Sequence, residues 1–254
     1  MFINKLPKLI LVVVLSALLG ACASVPQGEF RSKSDPWEPV NRSVYTFNQN
    51  LDEYVMKPVT KAYKFILPEL VRTGISNAFS NVGDIYTGIN NLLQGKPKDG
   101  ADDLVRVFVN TTLGIGGIFD VATAGGMDKH SEDFGQTLGV WGVADGPYMV
   151  IPFFGPSTVR DSVGGILDVA TDPLSLYVTN VPVRNSLTGL RLVDARERRL
   201  GASDLMGVAA FDGYTFLRDA YIQRRRSKIY DGRTPEDFDE DIVPIDKEAG
   251  SGAK

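Results

Sequence analysis

The stretch VGDIYTGINNLLQGKPKDGADDLVRVFVNTT, residues 82–112, decides the fold. Val82, Ile85, Ile89, Leu92 and Leu93 recur at spacings that line one face of a helix. Gly95 and Pro97 then end that helix. Leu104, Val107 and Phe108, followed by Thr111 and Thr112, start a further element. The same period continues in both directions. Upstream, Val44, Phe47, Leu51, Val55 and Val59 make a stripe that Pro58 should kink or divide. Downstream come Val159, Val163, Ile166, Leu167 and Ala170, then Leu187, Leu190 and Val193. Leu205, Ala209, Leu217 and Tyr221 suggest a last helix, with Arg224, Arg225, Arg226 and Lys228 at its C-terminal end. Cations there suit the helix dipole or face anionic headgroups. No internal repeat is visible, and the expected class is all-α, mostly helical.

Two apolar stretches break the pattern. Residues 111–126 read TTLGIGGIFDVATAGG, and residues 138–156 read LGVWGVADGPYMVIPFFGP. Both are rich in glycine or proline. The second suggests a short strand pair turning at Ala144-Asp145-Gly146-Pro147, with a buried loop as the alternative. Its load of Trp141, Tyr148, Met149, Val150, Ile151, Phe153 and Phe154 is large for a loop and suits a segment lying against lipid. Gly139, Gly142, Gly146, Pro147 and Tyr148 are therefore candidates for a flexible or interfacial loop.

The N-terminus has the architecture of an export signal. Lys5 and Lys8 precede an apolar run from Leu9 to Leu19 that ends at Leu19-Gly20-Ala21-Cys22. The run is about half the roughly 20 residues a spanning helix needs. Small residues before a cysteine resemble the lipobox of bacterial lipoproteins, so residues 1–21 are read as a signal and Cys22 as the acylated N-terminus. Cys22 is the sole cysteine, which leaves no intramolecular disulfide. Two or more acyl chains there anchor stably. Ala23, where an aspartate commonly signals inner-membrane retention, favours the outer membrane. Removing the signal leaves 233 residues and takes the net charge from −4 to −6, since the signal holds two lysines and no acid. That excludes the basic footprint of a nucleic-acid binder. Residues 22–34 read as a polar tether, 35–230 as one helical domain, and 231–254 as an acidic, disordered tail.

Catalytic signatures are missing. His130 is the one histidine. A triad with Ser131 or Ser157 can be drawn on paper, but there is no G-x-S-x-G elbow and no H-E-x-x-H. His130 reads as a surface or capping residue. The acidic groups Asp99, Asp102 and Asp103, and Glu132 with Asp133, lack an EF-hand pattern and read as solvated faces or helix starts, and no metal or cofactor is expected.

Several strings in fixed order carry a resemblance. They include Asp35-Pro36-Trp37-Glu38-Pro39-Val40-Asn41-Arg42, Asn90-Asn91-Leu92-Leu93-Gln94-Gly95-Lys96 and Arg106-Val107-Phe108-Val109-Asn110-Thr111-Thr112-Leu113-Gly114. Further on are Asp133-Phe134-Gly135-Gln136-Thr137-Leu138-Gly139 and Gly155-Pro156-Ser157-Thr158-Val159-Arg160-Asp161. Together, over about residues 35–230, they resemble the MlaA family, also called VacJ lipoproteins. One departure is Phe47-Asn48-Gln49-Asn50, where members often carry a second apolar residue.

The resemblance implies an outer-membrane lipoprotein of the Mla pathway that takes stray phospholipid from the outer leaflet and passes it to a soluble periplasmic carrier, MlaC. It implies a ring of amphipathic helices in the inner leaflet around a central channel, association with trimeric porins, and no covalent chemistry on the lipid. Within that picture Arg106, Asn110, Arg160 and Asp161 are candidates for channel or headgroup-facing positions, with structural ion pairs as the alternative. The Gly-rich stretches at 114–126 and 139–146 suit irregular backbone lining a polar path. A lipid hydrolase using His130, and a structural lipoprotein that braces porins, stand as competing readings.

Overall fold

The computed structural model describes residues 35–201 and 212–232. Cys22, the signal, the tether and most of the acidic tail lie outside the described residues, as do Leu205 and Ala209. The described chain is mostly helical, as the periodicity predicts. In order it contains α1 (Glu38–Leu51), a π-helical turn (Asp52–Met56), α2 (Lys57–Ile66), α3 (Glu69–Leu93), α4 (Pro97–Thr112), α5 (Val121–Ala124) and α6 (Phe134–Val140). Then come β1 (Tyr148–Ile151), β2 (Gly155–Thr158), α7 (Val159–Thr171), α8 (Pro173–Tyr177), α9 (Val181–Glu197) and α10 (Gly213–Ile229).

Local chemistry sets the boundaries. Pro58 sits in the first turn of α2, where its missing N–H is no loss, and the wider π turn before it divides the α1 stripe. Asp133, Thr158, Asn180 and Asp212 cap α6, α7, α9 and α10, each accepting a backbone N–H from the first turn. Gly95, at φ +78°, closes α3 and lets α4 start at Pro97.

The helices pack through small and polar residues. The buried face of α3 is Gly74, Asn81, Asp84, Thr87, Gly88, Asn90 and Asn91. That of α4 is Gly100, Asp103, Arg106 and Asn110. The two run antiparallel in a hairpin, with Asn91 Nδ2 donating to Asp103 Oδ2 at 2.8 Å and Asn81 Nδ2 to Thr111 Oγ1 at 2.9 Å. Gly88 and Gly100 face each other so closely that a Cβ on Gly100 would lie 2.9 Å from the Gly88 carbonyl oxygen. Glycine at both positions lets the backbones meet, as at helix contacts in lipid. A second such crossing joins α6 to α7, where a Cβ on Gly164 would lie 2.4 Å from the Gly135 nitrogen.

An apolar core exists only in miniature. Among the described residues the buried apolar side chains are Ala122, Tyr148, Val150, Tyr214 and Ile229. Tyr148, Val150 and Tyr214 cluster between α1, β1 and α10, with Tyr148 and Tyr214 edge-to-face at 6.3 Å. The apolar stripes point outward instead. Phe47, Val55 and Val59, then Ile89, Leu92 and Leu93, then Leu104 and Phe108, then Val163, Ile166 and Leu167 are all exposed. The inside of this molecule is polar and its outside is oily, the reverse of a water-soluble bundle. No helix among the described residues is long and apolar enough to cross a membrane.

The strand pair forms, but its turn is not the expected one. β1 and β2 pair antiparallel, Tyr148 with Thr158 and Ile151 with Gly155, so the chain reverses at Pro152-Phe153-Phe154. Asp145, Gly146 and Pro147 instead lead into β1. Phe153 at φ +70° and Gly155 at φ +91° supply the reversal. Asn41 and Asn48, two turns apart on α1, act as a third strand: Val150 N–H donates to Asn41 Oδ1, and Phe153 N–H to Asn48 Oδ1, at 2.9 and 2.8 Å. Their amide nitrogens return bonds to the Tyr148 and Ile151 carbonyls. Asn48 is thus a hydrogen-bonded brace for the reversal, while Phe47 meets Phe153 edge-to-face at 5.4 Å.

Candidate functional site

The polar interior is organised around three charged clusters, and the candidate residues fall in two of them. Arg106 projects from α4 with its side chain 0% exposed. It donates to the Met127 carbonyl at 2.7 Å, to Thr123 Oγ1 at 3.0 Å and to both oxygens of Asp120. Asn110, one turn on, donates to Asp120 Oδ1 at 3.0 Å and accepts the Ala122 N–H at 2.9 Å. Arg106 and Asn110 therefore clamp the Gly-rich 113–127 segment to α4, and Arg106 presents no surface to a headgroup. Burial opposes ionisation of Asp120, but the Thr123 side chain and backbone, Asn110 and the Arg106 charge hold its carboxyl down to about 2. Behind this cluster, Lys129 Nζ bonds Asp84 at 2.9 Å, and burial still pushes the Asp84 carboxyl up.

The second cluster joins α6, α7 and α10. Asp161 accepts from Arg160 Nη2 at 2.9 Å, from Tyr221 Oη at 2.6 Å and from Arg225. Arg225 also bridges both oxygens of Asp133, the α6 cap. Arg160 reaches back to Asp145 and to the Val143 carbonyl, pinning the segment before β1. Arg160 and Asp161 thus occupy a buried ion-pair network. Bidentate arginine pairs in a dry interior need every donor placed, and they fix geometry more than they add stability. A third cluster, Asp35 with Asn41, Tyr214 and Arg218, ties the start of the described chain to α10.

The loop candidates divide. Gly139, on α6, packs against Ile229. Gly142, at φ +86°, ends α6, and Gly146, at φ +67°, lies against Val159. Gly139, Gly142, Asp145 and Arg160 line one recess of about 320 Å³ with Arg226 and Tyr230. Pro147 accepts the Val159 N–H through its carbonyl. Tyr148, expected at a lipid interface, is 1% exposed and belongs to the small core, because β1 faces α1 and α10. The exposed aromatic groups of this region are Trp141, Phe153 and Phe154. Trp141 Nε1 donates to the Leu93 carbonyl at 3.0 Å, which satisfies its one polar atom. His130 Nδ1 lies 3.0 Å from Asp103 Oδ1, and Asp103 in turn holds Asn91. Among the described residues no group of three metal-binding side chains converges.

Sequence reasoning did not single out Asp84 or Asp120, and it read Asp133 as a solvated face or helix start, Arg225 as a helix-end cation and Asn91 as part of a family string, without bringing them together. The signal was present: Asn81, Asp84, Thr87 or Gly88 and Asn91 repeat at helical spacing on the face of α3 that a soluble bundle would make apolar.

Comparison with known proteins gives three findings. Residues 33–228 match the family described as MlaA lipoprotein. The intermembrane phospholipid transport system lipoprotein MlaA of Escherichia coli strain K12 is 36% identical over 213 residues, 82% of this chain and 83% of that protein. Its counterpart of the same name in Haemophilus influenzae is 32% identical over 235 residues, 90% and 93% of the two chains. A solved structure from work on the structural basis for maintenance of bacterial outer membrane lipid asymmetry superposes with a TM-score of 0.68 at 33% identity, covering 78% of this chain and all of that one.

Proposed function

Since this chain belongs to the MlaA lipoprotein family, we propose that it serves phospholipid transport at the outer membrane as a helical body sunk in the inner leaflet, anchored by acylated Cys22. Its relatives are phospholipid-transport lipoproteins, and its structural neighbour concerns outer-membrane lipid asymmetry. The observation that carries the finer reading is the inverted burial. Among the described residues five apolar side chains are enclosed against eighteen polar or charged ones, while many large apolar groups stand outside. An apolar exterior this extensive marks a lipid or partner surface. Polar groups on the inward faces offer a route for a headgroup that would otherwise lose several kcal/mol on entering hydrocarbon.

In this reading the ring accelerates exchange of phospholipid and does not break it. Direction comes from outside the chain, from the affinity of a soluble periplasmic carrier of the MlaC kind. Trimeric porins are the partners that hold the body beside the leaflet, and the exposed apolar faces of α2, α4 and α7 are the surfaces available for lipid and porin. Arg160 and Asp161 hold the shape of the path, and Arg226 and Tyr230 stand at the recess they back.

The decisive experiment reconstitutes the acylated protein in asymmetric vesicles and follows labelled phospholipid into a purified soluble carrier. Transfer well above protein-free vesicles is expected, with Cys22→Ala reduced to background in cells. No gain in transfer, together with normal leaflet asymmetry in a deletion strain, overturns the proposal.

A further inference from the structure

A second polar cavity, away from the recess at Arg160, opens between the end of α2, the start of α3 and the end of α9. It measures about 380 Å³, within the range of small-molecule sites. Six charged residues line it: Lys64, Glu69, Arg72, Asp194, Glu197 and Arg198. Their formal charges cancel, three positive and three negative. An anion site would carry an excess of cations, whereas this one is bipolar.

The internal pairing is incomplete. Arg72 is committed, donating to Glu197 Oε1 and to the Leu67 carbonyl. Lys64 approaches Glu197 only at 3.8 Å and stays 58% exposed. Arg198 donates to Ser76 Oγ at 2.6 Å, and its side chain is 48% exposed. Among the described residues Glu69 has no ion-pair partner. Asp194, 1% exposed, is the telling member. Its Oδ1 takes a long 3.4 Å bond from Tyr63, and its Oδ2 lies 3.3 Å from Arg198 Nη2 without a hydrogen bond. A buried carboxylate oxygen left unbonded is costly unless a donor arrives. Beside the cavity, the α2–α3 turn carries Phe65, Ile66 and Leu70, all strongly exposed.

We propose that this cavity binds the zwitterionic ammonium-phosphate headgroup of an ethanolamine phospholipid. Lys64 and Arg198 supply donors to the phosphodiester, and Asp194 Oδ2 with Glu69 accepts from the primary ammonium. The acyl chains lie along Phe65, Ile66 and Leu70. The site makes the protein selective for zwitterionic over anionic phospholipid, because a glycerol headgroup offers no cation to Asp194. The inference rests on the phospholipid-handling role proposed above and adds headgroup selection to it.

The test presents the full acylated chain with vesicles of equal phosphatidylethanolamine and phosphatidylglycerol content and matched acyl chains. Bound lipid is counted by mass spectrometry. The expected ethanolamine-to-glycerol ratio lies well above one and falls about tenfold in Asp194→Asn, the loss of one charged hydrogen bond. Glu69→Gln, at an exposed position, should lower it several-fold without altering the fold. Lys64→Gln removes a donor to the phosphodiester that both lipids share, so it should weaken binding of both lipids several-fold without lowering the ratio. Soluble phosphoethanolamine should compete and inorganic phosphate should not. A ratio near one in the wild type, a ratio unchanged in Glu69→Gln, undiminished binding of both lipids in Lys64→Gln, or equal competition by inorganic phosphate overturns the headgroup site while leaving lipid handling intact. Absence of any bound lipid overturns both.

Discussion

Phe65, Ile66 and Leu70 form the sharpest test of the outward-facing stripes. They are 91%, 71% and 76% exposed at the junction of α2 and α3. In water they touch little, so replacing all three by serine should leave folding stability nearly unchanged, within about 0.5 kcal/mol per site. In a leaflet the outcome is different. Full burial of a Phe, Leu or Ile side chain contributes roughly 1.5–3 kcal/mol. Scaled by these exposures, the three together contribute about 4–7 kcal/mol, on the order of a thousandfold or more in partitioning. The measurement is flotation of the mature chain carrying Cys22→Ala, with vesicles in excess, beside a thermal melt of the same samples. The triple variant should remain in the dense fraction and melt within a few degrees of its parent. Undiminished flotation would show that these side chains stay out of the lipid. A collapse of the melting temperature would show that they belong to a folded apolar core. Either result refutes the inverted architecture.

Three further outcomes follow from the interior. The Asp120 carboxyl titrates near 2 in the fold and near 3.9 when unfolded, so its stabilisation, roughly 2 kcal/mol, is fully present above about pH 4 and lost as pH falls toward 2; denaturant unfolding from pH 5 to 2 should show this slope, and Asp120→Asn should flatten it. Gly164→Ala places a methyl 2.4 Å from the Gly135 nitrogen, where only backbone movement can make room, so a loss of about 2 kcal/mol or more and a lower melting temperature are expected. Asn48→Ala removes the bonds to Phe153 and Ile151 and should speed hydrogen exchange at the Phe153 amide, with about 1 kcal/mol lost in denaturant unfolding.

The helices were legible because period, proline and glycine are local signals. Stripes at 82–93 and 159–170 predicted α3 and α7, and Gly95 with Pro97 predicted the turn between α3 and α4. What each stripe faces is a different matter. Periodicity marks two faces of a helix without saying which one meets solvent, and the polar face of α3 carried as much information as the apolar one. The strand pair was visible in composition, but its turn was misplaced from 152–154 to 144–147. Asp145-Gly146-Pro147 is the stronger local turn signal. The observed reversal depends on Asn48, about a hundred residues away, to hold Phe153 in place. Arg106 and Asp161 were singled out as charges beside apolar segments. Their partners Asp120 and Arg225 come from other elements, and no local pattern points to the pairing.

For the leaflet-embedded body proposed above, the Arg106 cluster bears on the order in which folding and insertion take place. A guanidinium with no exposed surface, matched to Asp120 across a glycine loop, is tolerable in oil only after its partner is in place. Were the chain to enter the leaflet unfolded, each charge would cross hydrocarbon alone, at several kcal/mol apiece. In a body sunk in a leaflet, as proposed above, the interior is therefore assembled before its charges meet hydrocarbon.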